Sequence, residues 1–270
     1  MNTGFVRTAG AMECSDLPGQ EPRTVDVLTA GNTLKDGYPG AVKPRRDPLA
    51  PLRDLPGVSE SASQARAALA AVHRRPVNLR RPEITGAESV LRGARAGAMI
   101  DRATGEDPEI LTRALDVYSI LAPDLVQETA RVFLRSPLQV LARMDVLAGG
   151  TGRPVRASAE LAVLATTVTA GADPDLLPGV MHGQILSTVP FGERSGVIAR
   201  AISRLAAVAG GFDPRGLAVP EPWLNRHRAE YLAAGKEFGT GAIGVGRFLD
   251  LHLRSYVAGA AEAEGIAALL

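Results

Sequence analysis

Three features of this chain carry residues with chemical potential: a segment at 189–200, four scattered histidines, and a glycine triplet near the C-terminus. The segment reads Val189-Pro190-Phe191-Gly192-Glu193-Arg194-Ser195-Gly196-Val197-Ile198-Ala199-Arg200. Helical patterning on either side predicts a short loop that runs into a helix N-terminus. Free backbone N–H groups and the helix dipole favour anions there. Arg194, Ser195, Gly196 and Arg200 are therefore candidate anion-binding residues. Glu193 is a candidate metal ligand, and Glu193 and His182 are the candidate catalytic groups for proton transfer. Each residue also has a structural reading. Pro190 and Phe191 would anchor the loop in the core, and Ser195 would cap the next helix. Arg200 and Arg204, one helical turn apart, would form a solvated face.

The histidines are His73, His182, His227 and His252. No pair has the spacing that puts two ligands on one helix face, and the single cysteine, Cys14, excludes a cysteine zinc site and an internal disulfide. His252 reads as a surface or core histidine. His182 precedes the loop but favours a packing role. Gly239-Thr240-Gly241-Ala242-Ile243-Gly244 matches the dinucleotide-binding spacing, with Glu264 beyond it. That chemistry needs a preceding strand and a βαβ unit. A helical run, Tyr231–Phe238, precedes the glycines instead, and the chain ends at Leu270. Gly239 as a helix end and Thr240 as a cap explain the pattern. An NAD- or NADP-linked oxidoreductase is the remote alternative. His73-Arg74-Arg75 with Arg80-Arg81 reads as a solvated, basic helix end.

The segment at 189–200 resembles the signature loop of the Fic (Fido) family, His-Pro-Phe-x-Asp/Glu-Gly-Asn-Gly-Arg-x-x-Arg, which also lies between two helices. Pro190, Phe191, Glu193, Gly196 and Arg200 match it. The resemblance extends over roughly residues 50–265. It implies a Fic-like helical bundle and a loop that holds nucleotide phosphates, with ATP and magnesium as ligands. It further implies AMP transfer to a protein side chain, with the acidic residue near the metal. The chain departs from the pattern at four positions: Val189 replaces the His, Arg194 a Gly, Ser195 the Asn and Val197 the first Arg. Val189 cannot accept a proton. His182 lies seven residues upstream, about 10 Å along a helix. A degenerate Fic-like pseudoenzyme is therefore expected, binding a nucleotide, another anion or a protein partner. The alternatives are an active nucleotidyl or phosphoryl transferase with altered loop chemistry, and an interaction module with a vestigial loop.

The elements that must position this loop are helical. Hydrophobic residues make up 46% of the chain and aromatics 4%, so the core is built mainly from Ala, Leu, Val and Ile. Helices are expected over about 59–75, 83–101, 108–121, from Pro123 and from Pro137, then 158–170, 174–188, 195–209, 225–238 and 243–268. Pro76 and Pro82 would bracket an extended link. The small residues Ala87, Gly93, Ala94, Ala96, Gly97 and Ala98 would let the second helix pack closely. Residues 1–47 are dense in Gly, Pro, Thr and Asp, and read as a flexible extension before an all-α domain at 48–270. A net charge of +1 gives no field for nucleic acid or an anionic membrane. No apolar run spans a bilayer and no secretory signal is expected at Met1–Ala11, so the chain reads as cytoplasmic. The small-residue helix could equally serve a homodimer.

Overall fold

Proline sits in the first two positions of many helices of this chain, where a missing N–H costs nothing and a fixed φ favours the first turn. The computed structural model describes residues 47–102 and 107–270; the expected N-terminal extension and Cys14 lie outside them. The described residues form α1 (Val58–His73), α2 (Pro76–Arg80), α3 (Pro82–Asp101), α4 (Pro108–Tyr118), α5 (Val126–Arg135), α6 (Pro137–Leu147), α7 (Ser158–Ala170), α8 (Leu177–Thr188), α9 (Ser195–Gly210), α10 (Glu221–Arg226), α11 (Arg228–Glu237) and α12 (Ala242–Ala268). Short 3-10 turns cover Ala50–Asp54, Ser119–Leu121, Gly192–Arg194 and Phe238–Thr240. No strand occurs among the described residues, so the fold is all-α.

The differences from expectation have local causes. Pro76 opens the short helix α2 rather than an extended link; only Arg75, at ψ 132°, is extended. Pro82 then forces Arg81 out of the helical region, to φ −136° and ψ 51°, and α3 starts afresh. The helix expected from Pro123 begins at Val126, and the one expected from Pro174 begins at Leu177. The helix expected over 225–238 starts earlier, at Glu221, and breaks at His227. His227 turns both its backbone N–H and its ring Nδ1 to the Trp223 carbonyl, each at 3.0 Å. At the glycine triplet a 3-10 turn holds Gly239 and Thr240, and Gly244 lies inside α12. With no strand before it, a dinucleotide-binding unit is ruled out there.

The helices α8 and α9 form the centre of the fold. On α9 every residue from Val197 to Val208 is buried. It packs on α8 and also meets α3, α4, α5 and α6, while α12 runs along α1 and touches α8, α10 and α11. A helix enclosed on all sides is normally apolar all round. Yet α9 carries Arg200, Ser203 and Arg204 inward, at 2%, 2% and 3% exposure. The expected solvated face of Arg200 and Arg204 is therefore wrong: their surroundings, not their spacing, decide where they lie. No helix among the described residues is long and apolar enough to cross a membrane.

Space for the arginines comes from α3. A Cβ on Gly93 would lie 2.4 Å from Arg204 Nη1, 3.0 Å from Glu221 Oε2 and 3.1 Å from a Tyr118 ring carbon. One on Gly97 would lie 3.3 Å from Arg200 Nε. Gly265, on the exposed side of α12, has nothing within 4 Å of such a carbon. Gly93→Ala is therefore expected to destabilise the protein by about 1–3 kcal/mol through overpacking. Gly265→Ala is expected to stabilise it by about 0.5–1 kcal/mol through helix propensity. Urea unfolding midpoints of the two variants would move in opposite directions.

Candidate functional site

The loop between α8 and α9 is held by a series of specific contacts. Helix α8 ends at Thr188, and Val189 takes φ 49° and ψ 52°. A β-branched residue before proline is poorly suited to this left-handed conformation, which costs roughly 1–2 kcal/mol. Pro190 and Phe191 are both buried, Phe191 in the central core. The Pro190 carbonyl accepts the Val155 N–H at 2.8 Å, tying the loop to the segment before α7. Ser195 is the first residue of α9, and its Oγ accepts the Phe191 N–H at 2.9 Å. The hydroxyl thus turns back into the loop rather than capping the helix as expected.

The charged loop residues are largely committed. Arg194 Nε donates to Asp145 Oδ1 at 2.7 Å. Asp145 is fully buried on α6 and also accepts the Gly152 N–H at 2.9 Å. Gly150 permits this wrap, since a Cβ there would lie 2.2 Å from the Asp145 carboxylate. Asp101, at the end of α3, sits over the start of α9: its Oδ1 is 2.9 Å from where a Cβ of Gly196 would be. Its Oδ2 accepts from Arg200 Nη2 at 2.5 Å, and the same nitrogen reaches the Gly97 carbonyl at 3.3 Å. The anion-favouring N-terminus of α9 therefore faces a carboxylate of the protein's own. Glu193 is exposed on the loop. No group of three or more His, Cys, Asp and Glu among the described residues is arranged to hold a metal ion.

Below the loop lies a buried polar layer. Arg204 Nη2 donates to Ser89 Oγ at 2.6 Å and the Gly216 carbonyl at 2.9 Å, and its guanidinium pairs with Glu221 at 3.7 Å. The Tyr118 hydroxyl donates to Glu221 Oε1 at 2.8 Å. Burial opposes the charge on Arg200, but the Asp101 carboxylate holds the guanidinium protonated. Burial pushes the Tyr231 hydroxyl up to about 12 against the pull of Arg200.

His182 points into this layer rather than toward Val189. Its Nε2 meets the Tyr231 hydroxyl at 2.8 Å, and its Nδ1 meets His252 Nδ1 at 3.3 Å, so one of the two nitrogens carries the hydrogen. His252, fully enclosed, is a core histidine, with its ring beside Phe248 and Tyr256. Burial depresses both histidines, His182 strongly and His252 to about 3; His252 and Arg200 add to the effect on His182. His73, part of the basic cluster expected to be solvated, instead contacts Asp213 at 2.7 Å. Asp213 also accepts the N–H groups of Leu217 and Ala218.

The structure thus brings Arg194, Ser195, Gly196 and Arg200 to one corner, but turns His182 away from it. Sequence reading missed Asp101, Asp145 and Glu221, the carboxylates that decide what those cations do. They lie 99, 49 and 17 positions from their arginine partners, and no local pattern marks such pairings. No protein-family model matches the chain, and no curated protein matches it.

Two measurements follow from this geometry. Val189→Gly is expected to raise stability by about 1 kcal/mol, because glycine accepts positive φ without strain; thermal or urea unfolding would show it. For pH, the unfolded histidines titrate near 6.5 while the folded ones stay neutral far below that. The unfolded state therefore binds more protons as pH falls through 6.5, and stability drops, for His252 down to about pH 3. The loss is about 1.4 kcal/mol per pH unit per histidine, and carboxylates contribute little above about pH 4.5. Urea midpoints measured between pH 7 and 5 would reveal that slope, roughly halved in His252→Gln.

Proposed function

We propose that this chain is a degenerate Fic-like protein that acts by binding a protein partner and does not transfer AMP. The observation that carries this is the state of the loop: Val189 stands at the base position in a left-handed turn, while His182 is locked against Tyr231 and His252. Val189 itself offers a hydroxyl nucleophile no proton acceptor, and His182 is engaged elsewhere.

Two carboxylates weigh against nucleotide binding. Asp145 neutralises Arg194, and Asp101 neutralises Arg200 beside Gly196. A phosphate entering the corner would meet arginines already neutralised by their own carboxylates, so little of its charge would be offset. Glu193 alone, exposed on the loop, is a weak basis for magnesium. Protein binding, by contrast, asks only for a rigid surface. The buried Phe191, the Pro190–Val155 bond and the Arg194–Asp145 pair supply one. A cytoplasmic setting belongs to the same proposal.

Incubation with labelled ATP and magnesium is expected to leave both this protein and a lysate unlabelled, and calorimetry with millimolar ATP and magnesium to give no heat of binding. Heat without label would favour the nucleotide-binding pseudoenzyme. Robust label that disappears in Glu193→Ala would establish an active transferase and overturn the proposal.

A further inference from the structure

Helix α6 buries Val140, Leu141 and Met144 in the core. Its outer side keeps Leu138 and Val146 at 44% and 56% exposure, about 12 Å apart along the axis. The segment after α6 folds back over that side: a Cβ on Gly152 would lie 3.2 Å from Val146 Cγ2 and 3.4 Å from the Ala142 carbonyl. This segment presents Val155 at 66% exposure. Asp145 holds it to the neighbouring loop by accepting from the Gly152 N–H and from Arg194, and the Val155 N–H donates to the Pro190 carbonyl. The exposed valines therefore stand on a fixed frame, and their stiff β-branched side chains have little freedom to lose on docking.

From Ser136 to Ser158 the chain carries three arginines, Arg143, Arg153 and Arg156, and one acidic residue, Asp145. Asp145 is buried and already paired with Arg194. The three arginines are exposed, and among the described residues none of their side chains forms a hydrogen bond or an ion pair. The other basic cluster differs: Arg74 ends α1 and Arg80 ends α2, where the helix dipole favours cations, and Arg75 pairs with Glu264. Guanidinium groups without counter-charge suit carboxylates, which they grip by two parallel hydrogen bonds. Apolar side chains set between them suit the apolar anchors of an amphipathic helix. We propose that this face binds an acidic amphipathic helix of a partner protein, with Leu138, Val146 and Val155 taking its apolar anchors and Arg143, Arg153 and Arg156 its carboxylates. Such docking rests on the partner-binding reading of the loop and gives that partner its chemistry. A twofold contact with a second copy would set arginines against arginines. A bilayer surface takes up a longer apolar face than this. Glu193, exposed on the neighbouring loop, repels an acidic helix and marks the limit of the face.

Amide NMR spectra of the full chain, titrated with a helix-forming peptide of Glu, Ala and Leu that carries Leu on one face, test this. Shifts are expected within residues 138–157. Arg153→Glu combined with Arg156→Glu should weaken binding about tenfold or more, and Val155→Ser, which leaves the charge unchanged, should weaken it several-fold. These side chains are exposed, so the variants should keep the helical circular dichroism of the parent. The same peptide with Lys in place of Glu should not bind. No shifts at millimolar peptide, shifts centred on residues 74–81, equal binding of the Lys peptide, or binding unchanged in the variants would each overturn the proposal. So would self-association, or attachment to phosphatidylglycerol vesicles, that the same variants abolish. Transfer of label from ATP defeats the partner-binding reading itself; a failed titration without such label defeats this face alone.

Discussion

The burial of two guanidinium groups on the central helix constrains the rest of the structure. Removing a charge from water costs several kcal/mol unless counter-charge and hydrogen bonds replace the lost hydration. Arg200 and Arg204 therefore fix what surrounds α9. Helix α3 must offer glycines at 93 and 97 for room, its last residue Asp101 for charge, and Ser89 for a hydrogen bond. Helix α10 must present Glu221, and α4 must bring Tyr118 to orient it. The apolar packing of α9 on α8 then encloses the layer.

This constraint also shapes the loop. In an open corner, Arg200 and the N-terminus of α9 would attract an anion. Here Asp101 already occupies that position, and Asp145 engages Arg194. The positive charge of the segment serves the interior. Phe191 and the Ser195 hydroxyl secure the same loop from the core side.

Much of the scaffold was legible in the sequence because it rests on local signals. Helix starts at Pro108 and Pro137 follow from the fit of proline to the first helical turn. The small residues of α3 correctly indicated close packing, though their role, housing arginines, depends on a helix far along the chain. The expected solvated face at Arg200 and Arg204 failed for an instructive reason. Apolar residues surround both arginines from Val197 to Val208, and that all-round pattern signals burial. Charge weighed more than pattern, since the partner carboxylates could not be seen. The packing role favoured for His182 was legible, but its partners Tyr231 and His252 were not, because they belong to later helices.

The most direct test of the account is a double-mutant cycle between Arg200 and Asp101, read by urea unfolding. If Arg200 belongs to the core, Arg200→Met and Asp101→Leu should each cost several kcal/mol, on the order of 3, and the double variant carrying both should recover much of that loss. Single variants that unfold within about 0.5 kcal/mol of the parent, as surface substitutions do, would contradict it. They would mean that Arg200 is held in solvent, open to a ligand.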